Sequence, residues 1–166
     1  NLQDVLHQPT LLADKIRAIR ATLGATPCFI NARTDVLLEG LAQGPAAVAM
    51  VIERMRGYAA AGADGAFVPG LAFARDAQDI AAAMPLVLNV MALPGLPPVA
   101  ELRRAGVRRI SSAAAPCKVA LVNAREAVRA FIGGDVAPMF AVTLDYEATN
   151  RMFASIADAG RGSTAD

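Results

Sequence analysis

The sequence predicts an α/β fold in which parallel strands are covered by outer helices, and three observations support this prediction. Short apolar runs of the kind found in buried parallel strands alternate with longer segments of helical periodicity. The apolar runs begin near positions 28, 66, 86 and 107. Two segments, AGADGAFVPG and RAGVRRISS, both pass from a helix end through Ala-Gly into a strand. This weak internal repeat is typical of βα units that follow one another in a barrel.

Each element is predicted from its own pattern. The four strands are short runs rich in β-branched, aromatic and leucine side chains, at Cys28–Asn31, Ala66–Pro69, Leu86–Met91 and Val107–Ser111. Helices are predicted where apolar residues recur every three or four positions, often after a proline and before a glycine. They cover Thr10–Leu23, Pro45–Ala61, Arg75–Ala83, Pro98–Ala105, Pro116–Ile132 and Leu144–Ala157.

The length of 166 residues fits one domain, since domains cluster near ~100–150 residues. The opening letters NLQD read as the end of an earlier strand, which brings the strands to about five, whereas a complete eight-stranded barrel needs ~250 residues. From the residues alone, the chain is either part of a (β/α)8 barrel or a complete open sheet. We expect residues 1–134 to form a partial barrel and residues 135–166 a C-terminal helix and tail. Because Asn1 is not an initiator methionine, we also expect the chain to be the C-terminal portion of a longer protein.

The composition argues against several functional classes. Sixteen basic and fifteen acidic residues give a net charge of +1, so no surface for nucleic acid or an anionic membrane is predicted. Cys28 and Cys117 are too few for a disulfide scaffold and are expected in the core. The single histidine, His7, limits general-base chemistry. No signal peptide opens the chain, so a cytoplasmic location is expected.

Arg33 is the sharpest functional candidate. Reactive groups in parallel α/β folds lie where strands end, and Arg33 follows the first clear strand. A guanidinium there suits bidentate binding of carboxylate or phosphoryl oxygens. An ion pair with Asp35 or with Asp4 is an equally good interpretation of the same residue.

The other polar residues near strand ends have competing structural explanations. Asn89 interrupts the apolar run LVLNVM and needs hydrogen-bond partners, which a ligand or the surrounding protein could supply. Asn31 is similar, with a stronger structural interpretation because asparagine often turns the chain. Ser111 and Ser112 lack a nearby histidine, so a Ser-His nucleophile is not expected. The basic cluster is expected at the opposite end of the fold, in surface or subunit salt bridges formed by Arg103, Arg104, Arg108 and Arg109.

Four segments together resemble the isocitrate lyase/phosphoenolpyruvate mutase family: NLQD, FINARTDVLLEG, YAAAGADGAFVPG and PLVLNVMALPGLPPVAELRRAGVRRIS. The N-A-R-T-D segment at the expected distance before G-A-D-G-x-F-V-P-G is specific, and the resemblance extends to about Gly134. It implies the C-terminal portion of a (β/α)8 TIM-type barrel, usually a homotetramer that exchanges a C-terminal helix between subunits. It also implies a Mg²⁺-dependent carbon–carbon lyase or mutase that acts on a small 2-oxo or 2-hydroxy dicarboxylate through an enolate-like species.

The resemblance also assigns roles by position. Arg33 looks like the family's substrate-anion arginine, and Asn89 falls where members use an asparagine to hold substrate oxygens; both are therefore expected to be catalytic and substrate-binding. Asn31, Pro69 and Gly70 are further substrate-binding candidates, although Pro69 stands where lyases carry a glutamate and the mutase a histidine.

The metal site implied by the resemblance lies mostly outside this sequence. Gln3 and Asp4 fall at an acidic pair, usually Glu-Asp, that supports Mg²⁺ through water. The direct ligands are expected upstream of Asn1. The segment VLHQPTLLADK replaces the lyase loop that carries an acid cysteine.

Two other functional classes are alternatives, and the residues favour the first of them. The chain could be a non-catalytic or truncated family member that acts as an assembly or structural subunit. An open-sheet binding module of flavodoxin type would need a phosphate-binding loop or an acidic phosphoacceptor pocket, and neither is evident. The expected partners are a small-molecule carboxylate and further copies of the chain, with no nucleic acid and no membrane.

Overall fold

A computed structural model describes residues 8–141 and 145–161, with side chains described up to residue 154. Tertiary contacts divide the chain into two compact units, Asn1–Ala113 and Ala114–Asp166. The described part of the first unit contains α1 (Pro9–Leu23), β1 (Asn31–Arg33), α2 (Gly44–Ala60), β2 (Gly65–Val68), α3 (Ala74–Ala83), β3 (Val87–Met91), α4 (Val99–Arg104) and β4 (Val107–Ser111). The described part of the second unit contains α5 (Ala115–Ile132), a 3₁₀ helix (Ala137–Phe140) and α6 (Tyr146–Arg161).

The first unit is built on a parallel sheet with the strand order β1-β2-β3-β4. Each strand is followed by a helix and then by the neighbouring strand, which is the predicted βα repeat. Strand order follows chain order throughout, whereas a doubly wound open sheet reverses its order at a switch point. The chain therefore has the topology of a (β/α)8 barrel segment, as the sequence predicts.

One face of the sheet packs against the helices and forms the apolar core. The strand residues in this core are at most 4% exposed and comprise Ala32, Ala66, Val68, Leu88, Val90 and Val107. They belong to one buried cluster with Ile16, Val51, Met55, Ile80 and Leu102 of the surrounding helices. Because successive strand side chains point to opposite faces, the intervening residues project from the face without helices, which is the interior face of a barrel.

The predicted elements match the structure well except at the first strand. The strand β4 has the predicted bounds, and β2 and β3 begin within one residue of them. The strand β1 was expected at Cys28–Asn31, but it covers Asn31–Arg33. The reason is that the Ile30 amide donates to the Asp64 carboxylate at 2.7 Å, and the Cys28 carbonyl accepts from Arg20 at 2.8 Å. Cys28 is consequently exposed rather than part of the core.

The second unit exposes many apolar side chains. The helix α5 has no buried residue, and its exposed apolar side chains include Val119, Leu121, Phe131 and Ile132. Cys117 lies on this helix and is exposed, so its expected place in the core is wrong. The domain boundary expected after residue 134 and the exchange of the C-terminal helix stay predictions. None of the helices in the described part of the chain combines the length and the hydropathy that a membrane span requires.

Candidate functional site

The sheet register brings Arg33, Phe67 and Asn89 into one row across three strands. Arg33 ends β1 and pairs with Phe67 of β2, which in turn pairs with Asn89 of β3. Paired residues of neighbouring strands share a face, so these three side chains project from the face without helices. Strands lie about 4.8 Å apart, which separates the Cα atoms of Arg33 and Asn89 by roughly 10 Å. We call Arg33, Phe67 and Asn89 the inner row.

Arg33 makes an ion pair with Asp35 that engages a single donor among the contacts of the described residues. Its Nε donates to Asp35 Oδ1 at 2.7 Å, and its Cζ lies 5.6 Å from the centroid of the Phe67 ring. No acceptor for its Nη1 or Nη2 groups occurs among the described residues. The side chain of Arg33 is 49% exposed, against 18% for Asp35. The ion pair with Asp35 is therefore formed, and four N–H donors remain directed elsewhere.

Asn89 is buried and already has a polar partner. It is 1% exposed, and its amide lies beside the hydroxyl of Ser111 at the end of β4. Asn89 Nδ2 lies 3.1 Å from Ser111 Oγ, and Ser111 Oγ lies 3.2 Å from Asn89 Oδ1. When the hydroxyl donates to Oδ1, both N–H groups of the amide are left for another acceptor.

Asn31 lies on the same face as Arg33 but two residues earlier on β1, roughly 7 Å along the strand. Its side chain occupies the space over Gly65 of β2. A Cβ added at Gly65 would lie 2.7 Å from Asn31 Oδ1 and 2.8 Å from Phe29 Cε1, so the close contact requires glycine. Substrate binding by Asn31 stays a prediction.

Pro69 and Gly70 follow β2 and shape the loop rather than offering polar side chains. Pro69 is buried, and Gly70 has a φ of +85°. A Cβ added at Gly70 would lie 2.8 Å from the backbone nitrogen of Leu38. The loop after β1 therefore packs directly on Gly70. Any substrate contact at these two residues would involve backbone atoms, and their predicted substrate-binding role is untested.

The predicted metal residues Gln3 and Asp4 lie outside the described residues, as does His7. Within residues 8–141 and 145–161, no group of three or more His, Cys, Asp or Glu residues could hold a metal ion. The carboxylate nearest to Arg33 in sequence, Asp35, is already bound by that arginine. The described residues thus do not provide a Mg²⁺ site.

Asp35 borders a second polar environment, a cleft that Arg33 of the inner row also lines, together with residues of α1 and α2. Tyr58 of α2 is 3% exposed, and burial raises the pKa of its phenol. The charge of Asp35 also raises this pKa, while a hydrogen bond and the positive charge of Arg54 lower it. A cleft of about 200 Å³ in this region is bordered by Thr34, Asp35, Arg54, Tyr58 and Lys15, among others.

Sequence reasoning missed the partners that neighbouring strands supply. Phe67 had no assigned role, and Ser111 was considered only as a nucleophile. Arg109 was grouped with the basic cluster at the opposite end of the fold, yet the register pairs it with Asn89. A register irregularity beside Leu88 produces this pairing, and Arg108 instead donates to the Arg103 carbonyl at 2.9 Å. The alternation of residues within β2 and β4 was the available signal for Phe67 and Ser111.

The family is decided by comparison with known proteins. The profile of the family described as phosphoenolpyruvate phosphomutase matches residues 2–132, which is most of the chain. The chain belongs to the phosphoenolpyruvate phosphomutase family, in agreement with the isocitrate lyase/phosphoenolpyruvate mutase resemblance of its sequence. An uncharacterized protein of Mycobacterium tuberculosis, found in strains H37Rv and CDC 1551, is 35% identical over 136 residues. That match covers 80% of this chain and 49% of the relative, so the chain spans about half the length of the curated relatives.

Solved structures of the superfamily have the same fold. A Burkholderia cenocepacia J2315 protein with a proposed phosphonomutase assignment is 36% identical, with a TM-score of 0.68 over 74% of this chain and 50% of that protein. Oxaloacetate acetylhydrolase, solved with the inhibitor 3,3-difluorooxalacetate, is 27% identical, with a TM-score of 0.64 over 91% of this chain and 52% of its own. 2,3-Dimethylmalate lyase is 22% identical, with a TM-score of 0.68 over 94% and 57%, and supports the fold alone.

Proposed function

We propose that the protein containing this chain is a Mg²⁺-dependent lyase-type enzyme that acts on a small 2-oxo or 2-hydroxy dicarboxylate. The reaction would pass through an enolate-like intermediate formed when a bond next to a carboxylate breaks. The proposal includes a cytoplasmic, homo-oligomeric protein. It is supported by superfamily membership and by the arrangement of the inner row.

The observation that carries the proposal is the Nη1/Nη2 edge of Arg33 on the interior face of the sheet. Its guanidinium is half exposed, lies beside the Phe67 ring and has no described acceptor on Nη1 or Nη2. An arginine with this geometry can form two parallel N–H···O bonds to one carboxylate. We infer that Arg33 binds a substrate carboxylate on the interior face of the barrel.

Asn89 would act on the neighbouring substrate oxygen. Arg33 contacts the ring of Phe67, the strand neighbour between it and Asn89, so the guanidinium approaches the amide side of the row. In a 2-oxo substrate, the electron pair of the breaking bond moves onto the oxo oxygen as an enolate, and the departing fragment leaves without that pair, as CO₂ does from a carboxylate. An N–H donor from Asn89, oriented by Ser111, would stabilise the charge that develops there.

Magnesium enters the proposal only through the superfamily resemblance. Because the described residues contain no group of three or more His, Cys, Asp or Glu that could hold the ion, we assign none of them to it and derive no step through it. Gln3 and Asp4 remain the water-mediated candidates within this sequence.

A second candidate function is that of a non-catalytic assembly or structural subunit. The observation that favours it is the exposed apolar surface of α5 and the 3₁₀ helix, which includes Phe131, Ile132 and Phe140. A protein with this function alone would bind no oxo acid at the inner row, so the same experiment separates the two candidates.

The test compares Arg33→Met with the unmodified full-length protein in the presence of Mg²⁺. We expect binding of 3,3-difluorooxaloacetate, measured by calorimetry, to weaken at least about tenfold, because two charge-assisted hydrogen bonds are lost. Turnover of oxaloacetate is expected to fall by at least the same factor.

The matched control is Arg104→Met, which removes an exposed arginine from the last turn of α4. It should leave affinity and turnover unchanged. If Arg33→Met binds the inhibitor as tightly as the unmodified protein does, the proposed role of Arg33 is wrong. Absence of both binding and turnover in the unmodified protein would favour the assembly subunit.

A further inference from the structure

We propose that Asp35 is a positioning residue, which turns Arg33 so that only the Nη1/Nη2 edge of the guanidinium receives the substrate carboxylate. This inference rests on the proposed function, because it concerns how the same arginine binds an anion. The ion pair with Asp35 is then the means by which Arg33 is prepared for binding, rather than an alternative to it.

The donors of Arg33 limit how a carboxylate can approach. A guanidinium has two edges that can form a pair of parallel hydrogen bonds, one through Nε and one Nη, the other through both Nη atoms. The Nε donor is bound to Asp35 Oδ1 at 2.7 Å. A carboxylate can therefore be bound by two parallel bonds only at the Nη1/Nη2 edge.

Asp35 is itself held in place by the backbone around it. The Thr34 amide donates to the Phe67 carbonyl at 3.0 Å, which continues the contact of β1 with β2 past Arg33. The Asp35 carbonyl accepts from the Glu39 amide at 2.8 Å, and Val36 is fully buried. These contacts fix the backbone on both sides of the carboxylate, so the carboxylate can serve as a reference point for the guanidinium.

Phe67 restrains the guanidinium independently. Its ring centroid lies 5.6 Å from Arg33 Cζ, within the range of a cation–π contact. Asp35 fixes the direction of the Nε bond, and Phe67 limits motion toward β2. With both restraints, an arginine side chain that is half exposed loses less conformational freedom when it binds an anion.

Any test of Asp35 must distinguish the effect of its negative charge on anion affinity from the effect of its hydrogen bond to Arg33. A carboxylate next to Arg33 repels an incoming anion, so removing the charge alone should strengthen binding. Asn and Leu are both neutral and similar in shape, and only Asn keeps an oxygen that can accept from Nε. The comparison of Asp35→Asn with Asp35→Leu therefore isolates the positioning hydrogen bond.

The experiment uses the full-length protein with Mg²⁺ and measures the affinity for 3,3-difluorooxaloacetate by calorimetry. We expect Asp35→Asn to bind as tightly as the unmodified protein or more tightly. Asp35→Leu should bind the inhibitor about 3- to 10-fold more weakly than Asp35→Asn, which is the change in affinity expected from the net free energy of one hydrogen bond. In an Arg33→Met background, Asp35→Leu should cause no further loss, because Asp35 acts only through Arg33.

Three results would decide against the inference. Equal affinities of Asp35→Leu and Asp35→Asn would show that the hydrogen bond does not position Arg33. If Asp35→Leu lowers the affinity equally in the unmodified and the Arg33→Met backgrounds, Asp35 has a general structural role. Undiminished binding by Arg33→Met would instead reject the proposed role of Arg33 in binding the substrate, which the first two results leave intact. Should Asp35→Leu lower the melting temperature, Asp35→Ala provides the same comparison with Asp35→Asn.

Discussion

The amide of Asn89 illustrates how a polar side chain is accommodated among apolar residues. It is 1% exposed, between Leu88 and Val90, which face the core. A buried amide without partners would be strongly unfavourable, and the Ser111 hydroxyl on the neighbouring strand provides the partner. Ser111 is thus needed for the stability of the sheet whether or not Asn89 binds substrate.

We predict that Ser111→Ala lowers the free energy of unfolding by about 1–2 kcal/mol, because the Asn89 amide loses its partner. Urea denaturation of the full-length protein measures this change. Ser112→Ala is the control, since Ser112 is exposed and follows the end of β4. Equal stabilities of the two variants would contradict the prediction.

Individual residues were predicted to different extents. Arg33 could be singled out because its position at a strand end and its ion-pair candidate Asp35 are both local in sequence. Phe67 and Ser111 could not be connected with the site, because their contacts depend on how three strands align. The irregular register beside Leu88 cannot be recognised in a single sequence. For this reason the pairing of Arg109 with Asn89 was not predicted.

At the scale of elements, a single arginine connects α1 to the starts of two strands. Arg20 donates to the carbonyls of Gly62 and Cys28, both at 2.8 Å, and forms an ion pair with Asp64. Asp64 also accepts from the Ile30 amide at 2.7 Å, and this bond is the main cause of the lowered pKa of the Asp64 carboxyl. The ion pair with Arg20 lowers the pKa further, against the opposing effect of burial.

The lowered pKa of Asp64 predicts a pH dependence of stability. The unfolded state binds the proton on Asp64 more readily than the folded state does. The Asp64 carboxylate therefore contributes its full stabilisation above the usual Asp pKa of about 3.9, and this stabilisation is lost as the pH falls through the pKa of Asp64 in the folded protein. Asp64→Asn should therefore lose roughly 1 kcal/mol at neutral pH, since the pair is partly exposed, and should lose less further stability on acidification. Urea denaturation at neutral pH and at a pH below about 3.9 tests this prediction, with Asp79→Asn as the control because Asp79 is exposed.

Gly70 determines how the loop after β1 packs on the loop after β2. Its φ is +85°, and an added Cβ would lie 2.8 Å from Leu38 N. We predict that Gly70→Ala destabilises the protein by about 1–3 kcal/mol, because the strained conformation and the backbone contact cannot both be relieved. Thermal unfolding measures the loss. Gly57→Ala is the control, because Gly57 is helical and open space surrounds it, and a stability loss equal to that of Gly70→Ala would refute the explanation.

Most elements could be predicted because their signals are local. Prolines near helix starts and the alternation of apolar runs with helical patterns were sufficient for β2, β3, β4 and the helices. The strand β1 was predicted to begin too early because the segment CFIN is apolar in sequence, although its backbone groups bond to polar side chains. Arg20 and Asp64, which are distant in sequence, bind the backbone there and displace the start of strand pairing to Asn31.

At the scale of the whole molecule, the strand order β1-β2-β3-β4 and the family match describe a segment of a barrel. The alternation of strands and helices predicted this architecture, and the motifs around Arg33 and Phe67 distinguished it from an open sheet. The matched part of this chain covers 49% of the curated relatives, in agreement with the expectation that a complete barrel of this family needs further strands.

The pairing of Arg33 with Asp35 has a consequence for how such barrels can diverge. The two residues are separated by a single position, so their alignment is encoded in one short stretch of chain. Rearrangement of distant strands would leave that stretch intact, whereas the Asn89–Ser111 contact exists only when β3 and β4 adjoin. The anion binding proposed for Arg33 is accordingly the more easily retained as such sheets diverge, and the substrate contact proposed for Asn89 is the more easily lost.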